Sequence, residues 1–168
     1  TLLSRPSYMH DGGLFFDDDG KAYVFYGSGR LAQLKDDLSD VDPQGLNVDL
    51  TRWTRTPEET ALLEGSHAVK RGDYYYLLMI SMAWGEPGRI RREVCYRAKN
   101  LAGPYERKVI LEVPFESWGG LGQGDIVQRQ GKWYAMIFQD RGGVGRVPCA
   151  MPVRWVDDWP MLGDVNEK

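Results

Sequence analysis

Three stretches of the chain share one alternation of apolar and polar positions. Leu14 to Gly27, His67 to Met79 and Ile126 to Phe138 each run from apolar residues, through a short polar turn, into a strand rich in aromatic side chains. The turns are Asp17-Asp18-Asp19-Gly20, Arg71-Gly72-Asp73 and Gln128-Arg129-Gln130-Gly131. Two-residue alternation broken by such turn residues predicts β-hairpins. A further strand is predicted after each hairpin. These are Leu31-Ala32-Gln33-Leu34, before the acidic turn Lys35 to Asp42, and Glu93 to Ala98, closed by Asn100 to Tyr105; the last unit has Gly145 to Met151, then Val153 to Val156. Pro148 and Pro152 cannot donate to a ladder, which assigns their segment to an outer or edge strand. Helical periodicity is absent, apart from a short turn predicted at Pro57 to Ala61.

The turn glycines Gly20, Gly72 and Gly131 lie 52 and then 59 residues apart. A strand-bearing period near 50 is what the blades of a β-propeller produce, one four-stranded sheet per repeat. The expected fold is therefore all-β, a partial β-propeller of about three four-stranded antiparallel blades near residues 8–57, 62–113 and 121–160, in one domain spanning 1–168. Closed propellers typically have about four to eight blades, so the chain reads as part of one. Unpaired blade edges predict a homo-oligomer, or pairing with further blades.

Composition narrows the partners. Hydrophobic residues make up 42% of the 168 residues, enough for a core in one domain. The net charge of −3 argues against nucleic acid and against an anionic membrane. No apolar run approaches the roughly 20 residues of a membrane helix, and the first residues do not read as a signal peptide. The compartment stays open, because two cysteines, Cys95 and Cys149, read as buried thiols more readily than as a disulfide. Six tryptophans and nine tyrosines suit a carbohydrate partner, whose apolar ring faces stack on flat side chains.

The residues able to carry chemistry are few. Glu64 follows apolar residues and precedes Gly65-Ser66, a setting suited to a carboxyl that holds a proton as a general acid; the plainer alternative is a loop-edge glutamate. Asp11 leads into the first hairpin much as Glu64 leads into the second. In a propeller these starting points converge on the axis, so the two carboxyls are expected to face one cavity, an arrangement usable for glycoside hydrolysis. Asp17-Asp18-Asp19 is expected to be a solvated turn. His67 is a candidate for polar ligand or a satisfied core histidine. Arg141 is a candidate for a sugar hydroxyl, a neighbouring carboxylate or a structural ion pair. Trp84, Trp118, Phe15 and Phe115 are candidates for sugar stacking or for packing between blades. With two histidines and no metal-spaced Cys/His cluster, no zinc site is expected. The glycines from Gly119 to Gly124 run into a strand, which suits close approach of backbone to a ligand and not a phosphate loop.

The motifs His10-Asp11-Gly12-Gly13-Leu14-Phe15-Phe16-Asp17-Asp18-Asp19-Gly20-Lys21-Ala22-Tyr23, Leu63-Glu64-Gly65-Ser66-His67 and Tyr96 to Glu106 resemble glycoside hydrolase family 43. Gln123-Gly124, Phe138 to Gly142, Gly145 to Pro148 and Pro152 to Pro160 extend the likeness in the family's order. The resemblance implies a five-bladed propeller and inverting hydrolysis of xylosides or arabinofuranosides of plant cell walls by three acids. Glu64 matches the general acid, and Asp11 the aspartate that modulates and orients it. Arg141, Gln123, Trp84, Trp118, Phe15 and His67 then become candidate sugar-binding residues. Two departures stand out. The family's general base lies upstream of the Asp11 motif, and no Asp-Pro motif stands ahead of Ser7, so the base is expected to be missing and the chain alone nearly inactive. Where members often carry a histidine that holds a central calcium or water, this chain has Gly122 and Gln123, so no cofactor is expected and calcium lacks its usual support. The rival expectation is a non-catalytic carbohydrate-binding or structural propeller fragment.

Overall fold

A computed structural model describes residues 9–50, 61–82, 91–113 and 121–164. It contains three four-stranded antiparallel sheets. The first is built from β1 (Gly13–Phe16), β2 (Ala22–Tyr26), β3 (Arg30–Gln33) and β4 (Asn47–Asp49). The second comprises β5 (Ala61–Arg71), β6 (Tyr74–Met82), β7 (Arg91–Ala98) and β8 (Glu106–Leu111). The third holds β9 (Gly122–Arg129), β10 (Lys132–Asp140), β11 (Arg146–Val156) and β12 (Trp159–Leu162). Each sheet is a simple up-and-down meander in chain order. The expected hairpins form at the expected turns, and Gly20, Gly72 and Gly131 all adopt positive φ there.

The sheets stack as blades. The first strands lie innermost, β1 against β5 and β5 against β9. The middle blade is buried on both faces, and β6 shows how. Leu77 and Met79 point into the core shared with Phe15, Phe25, Leu31 and Val48 of the first sheet. Tyr76 and Leu78 point the other way, into the core shared with Ile126, Ile137, Val153 and Trp159 of the third. Successive strand residues face opposite sides, so a run of consecutive apolar residues serves two interfaces at once. The outer blades carry exposed apolar side chains, Leu14 and Phe16 on one and Val127, Tyr134 and Met136 on the other.

Two local expectations need correction. The segments predicted at Gly145 to Met151 and Val153 to Val156 are not separate strands: one strand, β11, runs unbroken from Arg146 to Val156. Its prolines are accommodated because β12 pairs with it only over Val153–Val156, while Pro148 and Pro152 lie where it pairs with β10 alone. Asp17 is not a solvated turn acid. Its carboxylate accepts bonds from Lys70 Nζ and Tyr75 Oη, both at 2.7 Å, and so ties the first turn to the second blade. The helical turn predicted at 57–61 falls mainly outside the described residues, and Ala61 opens β5.

The turn end of the other junction is stitched in the same way. Tyr76 Oη donates to the Asp158 carbonyl at 2.8 Å, and Arg97 donates to the Asp157 carbonyl at 2.7 Å. The Arg71 and Arg97 guanidinium groups lie 4.2 Å and 4.1 Å over the rings of Trp155 and Trp159. Cys95 is buried and Cys149 partly buried, and both are free thiols.

Candidate active site

The ends opposite these turns form a mouth, where the innermost strands are irregular. Asp11 stands just before β1 with φ 51°, a left-handed conformation that aspartate tolerates better than most residues. Its carbonyl accepts the Ser66 N–H at 3.3 Å, and the preceding carbonyl, of His10, accepts the Gly27 N–H at 2.9 Å. A side chain at Gly13 would collide with the Ser66 carbonyl, so glycine is what lets β1 lie against β5. β5 breaks register on both sides of Glu64, between Ala61 and Glu64 and again between Glu64 and His67. Such bulges re-aim the side chains they carry.

The result is convergence. One side-chain ligand atom from each of His10, Asp11 and Glu64 lies within 4.8 Å of the others. His10 and Glu64 are half-buried and Asp11 is exposed, so the cluster sits at the rim of the mouth and is open to a ligand. An imidazole and two carboxyls at this range can deliver a proton to a leaving oxygen. They could also hold a cation. At the loop matched to the family's metal- or water-holding histidine, Gly122 and Gln123 provide no imidazole.

The other candidates are distributed around this cluster. His67 Nδ1 lies 3.4 Å from Asp125 Oδ2, bridging β5 to β9. Gln123 has φ 61° and lays its side chain where a Cβ on Gly65 would stand. Its N–H donates to Glu93 Oε2 at 3.0 Å. Arg141 follows β10 at the same end, and its Nε donates to the buried Gln139 side chain at 2.8 Å. Phe15 is a correction: it is 7% exposed and packed edge-on against Tyr75, so its ring belongs to the core between blades and is closed to sugar. Trp84, Trp118 and Phe115 lie outside the described residues.

Sequence reasoning passed over several groups here. His10 is adjacent to Asp11, and its place in the cluster follows from the left-handed turn at Asp11, which no local pattern announces. Arg91 Nη2 donates to Asp140 Oδ2 at 2.7 Å, with Arg146 3.3 Å from the other oxygen, closing the mouth between the second and third blades. Glu93 is fully buried on β7. Burial pushes its carboxyl well above the usual range, the Gln123 N–H opposing and Asp125 reinforcing the shift. A signal was present, since an acid heading the apolar run Val94-Cys95-Tyr96 in an interior strand is unusual.

Residues 3–160 match the family model for glycosyl hydrolases family 43. The chain belongs to that family. Among family 43 relatives, a non-reducing end α-L-arabinofuranosidase of Bacteroides ovatus is 31% identical over 160 residues, covering 86% of this chain and 29% of the relative. A xylosidase/arabinosidase of Humicola insolens is also 31% identical, over 92% of this chain and 33% of its own length. A bifunctional GH43-CE protein of Bacteroides eggerthii superposes with a TM-score of 0.75 at 35% identity, over 96% of this chain and 20% of that one. This family 43 chain thus spans a third or less of the length of these relatives.

Proposed function

We propose that this chain supplies the acid side of a glycosidase site acting on xylosides or arabinofuranosides of plant cell-wall polysaccharide. Glu64 is the general acid that protonates the leaving oxygen, and Asp11 is the carboxylate that orients it. The observation that carries the reading is the meeting of Asp11 and Glu64, from adjacent blades, within 4.8 Å. The substrate class rests on family membership and on what the similar proteins are named for.

The spacing also bears on the role of Asp11. An inverting pair keeps acid and base about 6.5–9.5 Å apart to seat a water between them. Asp11 is too close to Glu64 to be that base, so an inverting reaction draws its base from another carboxylate. Taken without the family, the separation is nearer the about 5–5.5 Å of a retaining pair, with Asp11 as nucleophile. Proton NMR of the first-formed sugar separates the two: inversion of the anomer is expected, and retention would transfer the nucleophile's role to Asp11.

The test of Glu64 uses the whole gene product. Glu64→Gln should abolish most turnover of xylobiose while sparing substrates with an activated nitrophenol leaving group, which need less protonation. Equal loss on both would remove Glu64 from the acid role. Sugar binding without turnover in the unsubstituted protein would favour a binding module. Alone, the chain should self-associate through its exposed outer faces, and a monodisperse monomer by light scattering would count against that.

A further inference from the structure

Glu93 has no part in the chemistry described so far, yet it is the one acidic residue among the described residues that is completely buried. It lies in cross-strand line with the acid, because Glu64 pairs with Ile80 on β6 and Ile80 pairs with Glu93 on β7. One carboxyl oxygen accepts the Gln123 N–H, while the other, Oε1, has no hydrogen-bond partner among the described residues. A buried polar atom left in that state calls for a reason, since it is disfavoured wherever an apolar side chain would fill the same space.

The reason is on the other side of Gln123. That residue holds a left-handed backbone conformation without being glycine or asparagine. Its side chain fills the space over Gly65, the residue directly after Glu64. Gly122, beside it, leaves no room for a Cβ against Arg91 and Ile80, so the start of β9 is seated on the middle blade. A continuous line of contacts therefore runs from Glu93 through Gln123 to Gly65 and the bulge that aims Glu64.

We propose that Glu93 is a positioning residue for the general acid: by holding Gln123 in its left-handed turn, it clamps the third blade onto Gly65 and fixes the direction of Glu64. The inference rests on the acid role proposed above. Glu93 acts here as an acceptor for the Gln123 N–H, so glutamine, which keeps a carbonyl oxygen, should replace it and leucine should not.

The experiment compares Glu93→Gln, Glu93→Leu and Gln123→Ala in the whole gene product, with xylobiose and nitrophenyl xyloside as substrates. Glu93→Gln should keep kcat within about twofold of the unsubstituted protein. Glu93→Leu should lower kcat on xylobiose by about 10- to 100-fold, with a smaller loss on nitrophenyl xyloside and KM little changed. Gln123→Ala, which keeps the Glu93 bond but removes the side chain over Gly65, should show the same dependence on leaving group even if the leucine variant fails to fold. Losses equal for both substrates, or a folded Gln123→Ala protein without any loss, overturn the proposal. If Glu64→Gln itself shows no dependence on leaving group, the acid assignment has failed; if it does and the Glu93 and Gln123 variants do not, only the positioning role has.

Discussion

The two ends of the blades solve opposite problems. At the turn end, hairpins are regular and neighbouring sheets are tied by satisfied polar contacts, Asp17 with Lys70 and Tyr75 on one side and Tyr76 with Asp158 on the other. At the mouth, β5 bulges twice, and Glu93 is buried with an oxygen that has no hydrogen-bond partner among the described residues. Irregularity of this kind persists only where the surroundings over-determine it. The contrast indicates that stability is concentrated at the turns and the strands between, leaving the mouth free to hold a geometry chosen for chemistry.

Substitutions at the two ends should therefore separate activity from stability. The largest effect is expected from Glu64→Gln, with kcat on unactivated substrate falling about 10²–10⁴-fold and the melting temperature nearly unchanged; steady-state kinetics beside calorimetry would show it. A parallel drop in stability would break the contrast. Next comes the strand region behind the mouth, where Leu78→Ala should cost about 2–5 kcal/mol in urea unfolding, because Leu78 is fully buried between the second and third blades. Tyr75→Phe removes one bond to the Asp17 carboxylate and should cost about 1.5–3 kcal/mol, with kcat per folded molecule unaffected. The smallest effect belongs to Gly72→Asn. The turn there has φ 56° and open space around a new Cβ, and asparagine accepts that conformation, so the change should stay within about 0.5 kcal/mol.

The pH dependence of stability sharpens the same comparison, since the two ends carry shifts of opposite sign. For Asp17, burial alone would raise the pKa, but bonds from Lys70 and Tyr75 outweigh it and hold the carboxyl below its ordinary 3.8. The folded state therefore releases that proton more readily, and its stabilising contribution is present above pH 3.8 and lost as pH falls through the folded pKa. Glu93 is the reverse: burial raises its pKa, so folding favours the protonated form. Its contribution is intact below the ordinary 4.5 and is lost as pH rises from there toward the folded pKa. Urea melts across the acidic to neutral range should show Asp17→Asn flattening the acid limb and Glu93→Gln flattening the limb above it. Unchanged curves would mean that neither group differs in proton affinity between folded and unfolded chains.

What could be read from the residues divides along the same line. The hairpins, the turn glycines and the three sheets follow from local patterns, alternation and turn chemistry, which act over a few residues. Asp11 and Glu64 could be singled out because the sequence places each at the entry to its hairpin, although Glu64 lies within β5 and not before it, and the blade repeat predicts where such points meet. His10 and the Arg91–Asp140 contact were not legible, because one depends on a left-handed residue and the other on a packing partner 49 positions away, while Glu93 was marked only as an acid heading an apolar run, its partner Gln123 lying 30 positions on. Phe15 was misjudged for a related reason. An aromatic beside a mouth residue looks available for sugar until alternation is followed through, and strand pleating turns it inward toward Tyr75.

The two-faced middle blade also sets where this chain can change length. Adding or removing one residue inside β6 would exchange Leu77 and Met79 with Tyr76 and Leu78 between the flanking cores, so that large rings arrive where thin side chains are needed and both seams fail together. A change of length is therefore tolerated far better in the connections between strands than inside β6.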